Sequence, residues 1–351
     1  MARALALVVL ALPSPLAAQP DGRSGAVRPA VRPESAGKAR QAPSPPALRP
    51  AWPPAPEAAR IRFVRSIDPV GVKGRPSLLG RLARAVFGDR EDPSMRQPYG
   101  VAVGPDRRVY VADTFGRAVH VYDLGRPAYS AIAVNGDSTI GVAVVGSQLF
   151  VTDSVSSRLV ALDARGRTLW TVGRTQGLVR PTGLAAAGDR LYVVDTLANC
   201  VVVVGLDGVV RSHFGSRGNG PGQFNYPTNI AIGPDGRLYV TDTMNFRVQI
   251  FTGDGLFQKE FGQLGDGSGD FAKPKGIAVD RAGRIYVVEG LNDVVQMFDD
   301  SGRLLLEFGG TGSSDGHLYL PTGIAIVNDF VYVADSANRR VQVFEYVGGE
   351  P

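Results

Sequence analysis

Cysteine is almost missing from this chain: Cys200 is the single one in 351 residues, so no internal disulfide can form. Histidine is nearly as scarce, with only His120, His213 and His317. Structural and catalytic zinc sites take three or four ligands, drawn mainly from His and Cys, so this stock leaves little to build one from. No apolar run is long enough to span a bilayer; the stretch from Leu5 to Leu12 falls well short of the roughly 20 residues a membrane helix needs. Positive charge is also missing where a nucleic-acid surface would need it. The formal net charge of +5 resides in residues 1–60, which hold eight Lys/Arg against three Asp/Glu, whereas residues 97–351 hold 22 against 26. Phosphate binding gains from several clustered cations, so nucleic acid is not an expected partner.

The basic N-terminus has its own logic. Met1–Ala18 carries one arginine, a short apolar run, a Pro-Ser-Pro break and Leu-Ala-Ala, the three-part pattern of a secretory signal with cleavage after Ala18. Gln19 stands where a lipoprotein signal would place cysteine, so the expected product is released in soluble form, periplasmic or secreted. Residues 19–58 are rich in Pro, Ala, Arg and Ser, with ten prolines between Pro20 and Pro56. Such a tract cannot offset the entropy of ordering and reads as a disordered, semi-extended linker.

From residue 98 a phrase of aromatic, valine, variable residue and acid recurs six times: Tyr110–Asp113, Phe150–Asp153, Tyr192–Asp195, Tyr239–Asp242, Tyr286–Glu289 and Tyr332–Asp335. The acids follow one another at intervals of 40, 42, 47, 47 and 46 residues, and Thr114, Ser154, Thr196, Thr243 and Ser336 add a hydroxyl after five of them. Repeats of this length, dense in strand and turn signals, predict propeller blades. The fourth copy reads as four strands: Ile230–Ile232, a Gly-Pro-Asp-Gly turn, Leu238–Thr241, Arg247–Phe251, a second turn, and Leu256–Phe261. One such sheet cannot bury both faces alone, so the sheets must stack. The sixth copy ends one strand short, and the strand-like run Ile61–Ile67 belongs to no copy. A closed ring hides its edges, so 61–67 is expected to clasp the sixth blade as its outer strand. The prediction is an all-β, six-bladed propeller of four-stranded antiparallel blades over 59–349. The blades fall at about 98–134, 138–173, 181–215, 227–262, 274–309 and 321–347 plus 61–67.

Three segments carry a family resemblance: Pro-Thr-Asn-Ile-Ala-Ile at 227–232, Asp-Thr-Met-Asn-Phe-Arg-Val-Gln-Ile-Phe at 242–251, and Phe-Gly-Ser-Arg-Gly-Asn-Gly-Pro-Gly-Gln-Phe at 214–224. They resemble the NHL repeat. The fourth and sixth copies share Asp-[Thr/Ser]-x-Asn-x-Arg-Val-Gln, while the others drift, with Gly116, Ser156 and Ala198 at the Asn place and Ala118, Cys200 and Val294 at the Arg place. The resemblance implies a six-bladed propeller serving as an extracytoplasmic binding, sensor or assembly domain. Related propellers also include metal-dependent lactonases and a zinc- and calcium-using peptide-amidating lyase, so a hydrolase or lyase with a metal at the channel mouth is the alternative. Fold does not decide between these.

In an up-and-down blade, the turn after the second strand and the long loop after the fourth emerge on one face, opposite the minimal Gly-Pro-Asp-Gly turns. Binding is expected on that variable face, with Phe115, Arg117, Arg158, Asn199, Met244, Phe246, Arg247, Asp293, Arg339 and Arg340 as candidate contacts for a protein, peptide or other polymer. The repeated acids are read as structural, each accepting amides of its turn and pairing with the Arg five residues on. The three histidines fall at different blade positions, so no catalytic triad, metal site or cofactor is expected, although Asp266 and Asp270 in a Gly-rich loop are weak calcium candidates. Cys200 is read as a small core residue. Ser77–Arg90 shows a helical stripe of Leu78, Leu79, Leu82 and Val86 and is expected to pack across the rim or partly lid the channel, the alternative being a surface helix that meets a membrane or partner through Arg81 and Arg84. The ring is expected to be a monomer.

Overall fold

A computed structural model describes residues 49–68, 94–126, 128–134 and 136–348. The expected signal segment, most of the expected linker and the expected helix at 77–90 lie outside these residues. Six antiparallel sheets follow the predicted order, each running from an inner strand outward. The inner strands are Pro98–Val103, Thr139–Val145, Pro181–Ala187, Pro227–Ile232, Pro274–Val279 and Pro321–Val327. They touch in cyclic order, with the last returning to the first, so the ring is closed.

The burial pattern explains why these sequences make strands of this kind. Second and third strands such as Leu238–Asp242 and Arg247–Phe251 are buried along their whole length, covered by neighbouring sheets on both faces, and so read as near-continuous Val, Ile, Tyr and Phe. Outer strands such as Phe257–Phe261 alternate between half-buried and exposed residues. Each inner strand carries a register irregularity just after its first residue, as between Pro98 and Val101 or Pro321 and Ile324. Gly100 and Gly323 sit in these bends, where an added Cβ would lie 2.3 Å from the Ile140 carbonyl and 2.2 Å from the Tyr99 carbonyl. Only glycine lets neighbouring backbones approach so closely.

The sixth sheet holds the clasp: Ile61–Ile67 pairs antiparallel with Arg340–Tyr346, Ile61 opposite Tyr346 and Ile67 opposite Val341. Beyond it lies a strand the sequence did not disclose. Ala51–Trp52, within the stretch read as disordered linker, pairs with Arg62 and Ile61 as a fifth strand. Trp52 explains the ordering of residues 49–58, because its ring packs 6.0 Å from Phe308 and 5.8 Å from Phe344 between blades five and six. Arg60 reinforces the junction by donating to the Leu305 carbonyl at 2.6 Å. Strand pairing among the described residues therefore begins at Ala51, before the expected start at 59.

Candidate functional site

All six repeated acids are fully buried, and they perform one job. Asp242 accepts from the Asn225 amide at 2.7 Å, Asn245 Nδ2 at 2.8 Å, Arg247 Nε at 2.9 Å and Gln249 Nε2 at 3.1 Å. Asp335 repeats the pattern with the Tyr319 amide, Asn338, Arg340 and Gln342. Each acid thus ties the chain entering its blade to the turn after its second strand. The hydroxyl that follows joins neighbouring blades: Thr114, Thr196 and Thr243 donate to the carbonyls of Thr139, Pro227 and Pro274. In blade one, His120 takes the place of Gln249 and Gln342, linking Asp113 at 3.0 Å and Tyr129 at 2.8 Å. Burial alone would raise the Asp113 carboxyl, but His120 and the amides of Arg96, Gln97 and Gly116 outweigh it and hold it at about 2.

The turn residue four places after each acid adopts a left-handed backbone in every blade: Arg117, Ser157, Asn199, Phe246, Asp293 and Arg339. These six turns, each joining a second strand to a third, share one face, and their burial sorts the predicted contacts. Phe115, Arg117, Met244 and Arg339 stand exposed on it, and Phe246 and Arg158 are half-buried. Asn199, Arg247 and Asp293 are buried. Asn199 Oδ1 accepts from the Tyr226 amide, and the Asp293 carboxylate accepts from the Leu320 amide. Arg247 donates to the carbonyls of Asn219, Gly220 and Gln223. Arg340 likewise holds Ser314 and His317. These four side chains pin the long loops over the blades instead of facing a partner. Asp270, the weak calcium candidate, accepts from Gln263 Nε2 at 2.8 Å. Burial raises the Cys200 thiol to about 11, so it is a core residue with little thiolate.

What the turns do present is a ring. Two places after the acid stand Phe115, Val155, Leu197, Met244 and Leu291, all exposed at 44–66%. Blade six alone breaks the series, with Ala337. Val179, Tyr226, Tyr319 and Leu320, just before inner strands on the same face, are also exposed. The turn tips, the long loops and the segments entering the inner strands add Arg96, Arg117, Arg180, Arg217, Lys273, Lys275 and Arg339, against the exposed acids Asp137, which Arg117 pairs at 2.9 Å, Asp266 and Asp315. The rim is therefore apolar and cationic although the blades as a whole are slightly acidic, because six acids are buried and most others lie in turns of the opposite face.

Blade five departs from its neighbours at this rim. In blades three and four, a threonine in the inner strand bonds the hydroxyl after the acid, Thr182 to Thr196 at 2.8 Å and Thr228 to Thr243 at 2.7 Å. Blade five has Lys275 and Gly290 instead, and the lysine stem fills the space a side chain at 290 would take, 2.7 Å from its would-be Cβ. Burial, reinforced by Lys273, lowers the Lys275 ammonium from the ordinary 10.5 to about 8 despite Glu289 and Asp293 nearby. Repeat alignment could have flagged both the apolar ring and this lysine, since each is legible only as a column of equivalent positions.

The central channel offers little room: about 50 Å³ between inner strands. Among the described residues no three His, Cys, Asp or Glu side chains converge in a way that could hold a metal ion.

Comparison with known proteins agrees with the architecture. Residues 318–344 match the NHL repeat profile, 233–308 a six-bladed β-propeller family, and 87–220 the outer membrane protein assembly factor BamB. No curated relative matches the sequence. Among solved structures, virginiamycin B lyase from Staphylococcus aureus is 15% identical with a TM-score of 0.55, covering 72% of this chain and 96% of its own. A gluconolactonase from Xanthomonas campestris is 20% identical with a TM-score of 0.58, covering 72% and 86%. The calcium-binding protein regucalcin from Agrobacterium tumefaciens is 17% identical with a TM-score of 0.57, covering 74% and 94%. At such identities the likeness is one of fold. The chain is thus a six-bladed β-propeller whose last blade matches the NHL repeat.

Proposed function

We propose that this propeller is a non-catalytic, extracytoplasmic binding scaffold that recognises a protein or peptide through its variable-loop face. The observation that carries this reading is the ring of exposed apolar side chains, Phe115, Val155, Leu197, Met244 and Leu291, at equivalent turn positions. The repetition of exposed apolar side chains at one turn position of five blades sets them on a single face, and aromatic and arginine side chains are the usual anchors of a contact site. The interspersed cations favour a partner bearing carboxylates. The test uses the chain from residue 49 as bait in cell-envelope extract, followed by titration of the captured partner. Phe115→Ser with Met244→Ser is expected to weaken binding at least tenfold, about 1.4 kcal/mol. Leu256→Ser, which removes an apolar side chain 69% exposed on the opposite face, is expected to leave binding unchanged. The reverse outcome refutes the face assignment. One stoichiometric metal per chain together with turnover of a lactone would instead establish the enzyme alternative.

A further inference from the structure

The seam where the ring closes, between blades six and one, is packed differently from the three seams before it. At the three preceding seams, phenylalanines of an outer strand meet a third-strand phenylalanine of the next blade: Phe214 on Phe251, Phe261 on Phe298, Phe308 on Phe344. At the closing seam no such pair forms among the described residues. A cleft of about 650 Å³ opens toward the face opposite the rim. That volume lies within the roughly 300–1,000 Å³ of small-molecule sites. Its walls are mainly apolar, with Val103, Leu124, Phe330 and Val343 among them; among the described residues its charged groups are Arg65 and Arg107, and no carboxylate lines it.

The two arginines come from remote parts of the chain. A bulge between Phe63 and Arg65 sets Val64 and Arg65 together on the cleft wall. Arg107 closes the first turn of blade one in a left-handed conformation, φ 62°. The same turn position holds Gly236 in blade four and Gly283 in blade five, and the shorter turns of blades two, three and six use Gly146, Gly188 and Asn328. An arginine there is disfavoured by its Cβ, yet it delivers a second guanidinium to the cleft. Both cations act on the buried Tyr332 hydroxyl, drawing it down against the rise that burial imposes. Neither forms an ion pair with a carboxylate among the described residues.

We propose that this cleft binds an amphipathic anion, an apolar chain or ring ending in a carboxylate, with its head between Arg65 and Arg107 and its body along the seam. Such a ligand would touch the clasp strand, blade six and blade one at once, so occupancy would hold the ring shut. The site is independent of the apolar rim.

The probe is dodecanoate below its micellar concentration, measured by calorimetry on the chain from residue 49, with dodecanol and butyrate as controls. One dodecanoate per chain is expected, with both controls at least tenfold weaker. Arg107→Gly is the diagnostic variant: it is expected to weaken dodecanoate at least fivefold while raising the melting temperature of the free protein by about 1–3 °C, because glycine relieves the left-handed turn. Loss of binding in a more stable protein cannot be misfolding. Arg65→Gln is expected to weaken binding similarly, and Phe115→Ser not at all. Equal binding of dodecanol, unchanged affinity in Arg107→Gly, or no binding at about 1 mM dodecanoate each overturns the proposal.

Discussion

Lys275 is the residue where repetition gives way. Its equivalents in blades three, four and six are threonines, and in blades one and two Tyr99 and Ile140. The exchange of Thr for Lys works only because Gly290 replaces the usual hydroxyl residue beneath it. The lowered ammonium has a consequence for stability. Well below pH 8 the folded and unfolded chains both hold the proton, and the folded one bears the burial of the charge. Between about 8 and the ordinary 10.5 the folded chain releases it first. The unfolded state then binds more protons, so stability rises with pH through that window. Lys275→Met is expected to remove this rise and to stabilise the protein at pH 7 on the order of 1–2 kcal/mol, the lower part of what the shift implies because the side chain is partly solvated. Urea denaturation at pH 7, 8, 9 and 9.8 checks it; a parallel pH dependence in the variant would sink the idea. His120 departs from its column more gently, replacing glutamine while keeping the bond to the acid.

At the scale of elements, the long loops are more ordered than Gly-rich segments suggest. Phe224, Phe271 and Leu318 recur every 47 residues, each fully buried, and each lies in a short parallel pairing: Arg217 with Phe224, Leu264 with Phe271, Thr311 with Leu318. Each loop is a hook whose apolar residue enters the seam; Arg247 grips the carbonyls of the first and Arg340 those of the third, while in the second, where Val294 replaces the arginine, Gln296 donates to the Asp270 carbonyl. Phe271→Ala should cost about 3–5 kcal/mol, the range for a buried phenylalanine whose site cannot collapse, read as a shift of the denaturation midpoint at unchanged slope. A cost below about 1 kcal/mol would mean that the hook does not hold. The blades were legible in the sequence because Tyr-Val-x-Asp and the alternating strands state their burial directly. The structural role of the repeated acids was legible because six copies of one chemistry imply one job. The burial of Asn199, Arg247 and Asp293 was not, since turn positions look exposed until the preceding loop folds over them. Neither was the closing-seam cleft, which is space left between elements that no local pattern records.

Closure is a property of the whole molecule, and it rests on strands from opposite ends of the chain. Residues 61–67 cover the third strand of blade six along its full length, Ile61 opposite Tyr346 through Ile67 opposite Val341. Ile61 and Phe63 lie in the same core as Phe308 and Phe344. Without them the exposed edge would present unpaired amides and carbonyls beside apolar surface, the combination that promotes association between chains. Ala51–Trp52 adds a smaller increment, two paired residues and one indole between two phenylalanines. The order of these contributions predicts a graded series. Removing residues 1–48 should leave the melting temperature unchanged. Removing 1–58 should lower it by several degrees, as expected for one partly buried aromatic in a domain of this size, while the protein stays monodisperse. Removing 1–68 should lower it much further and produce aggregates visible by light scattering. Equal melting temperatures for the second and third truncations would show that the ring closes without its clasp, and identical behaviour of the first two would confine the closure to Ile61–Ile67 and leave Trp52 as a surface contact.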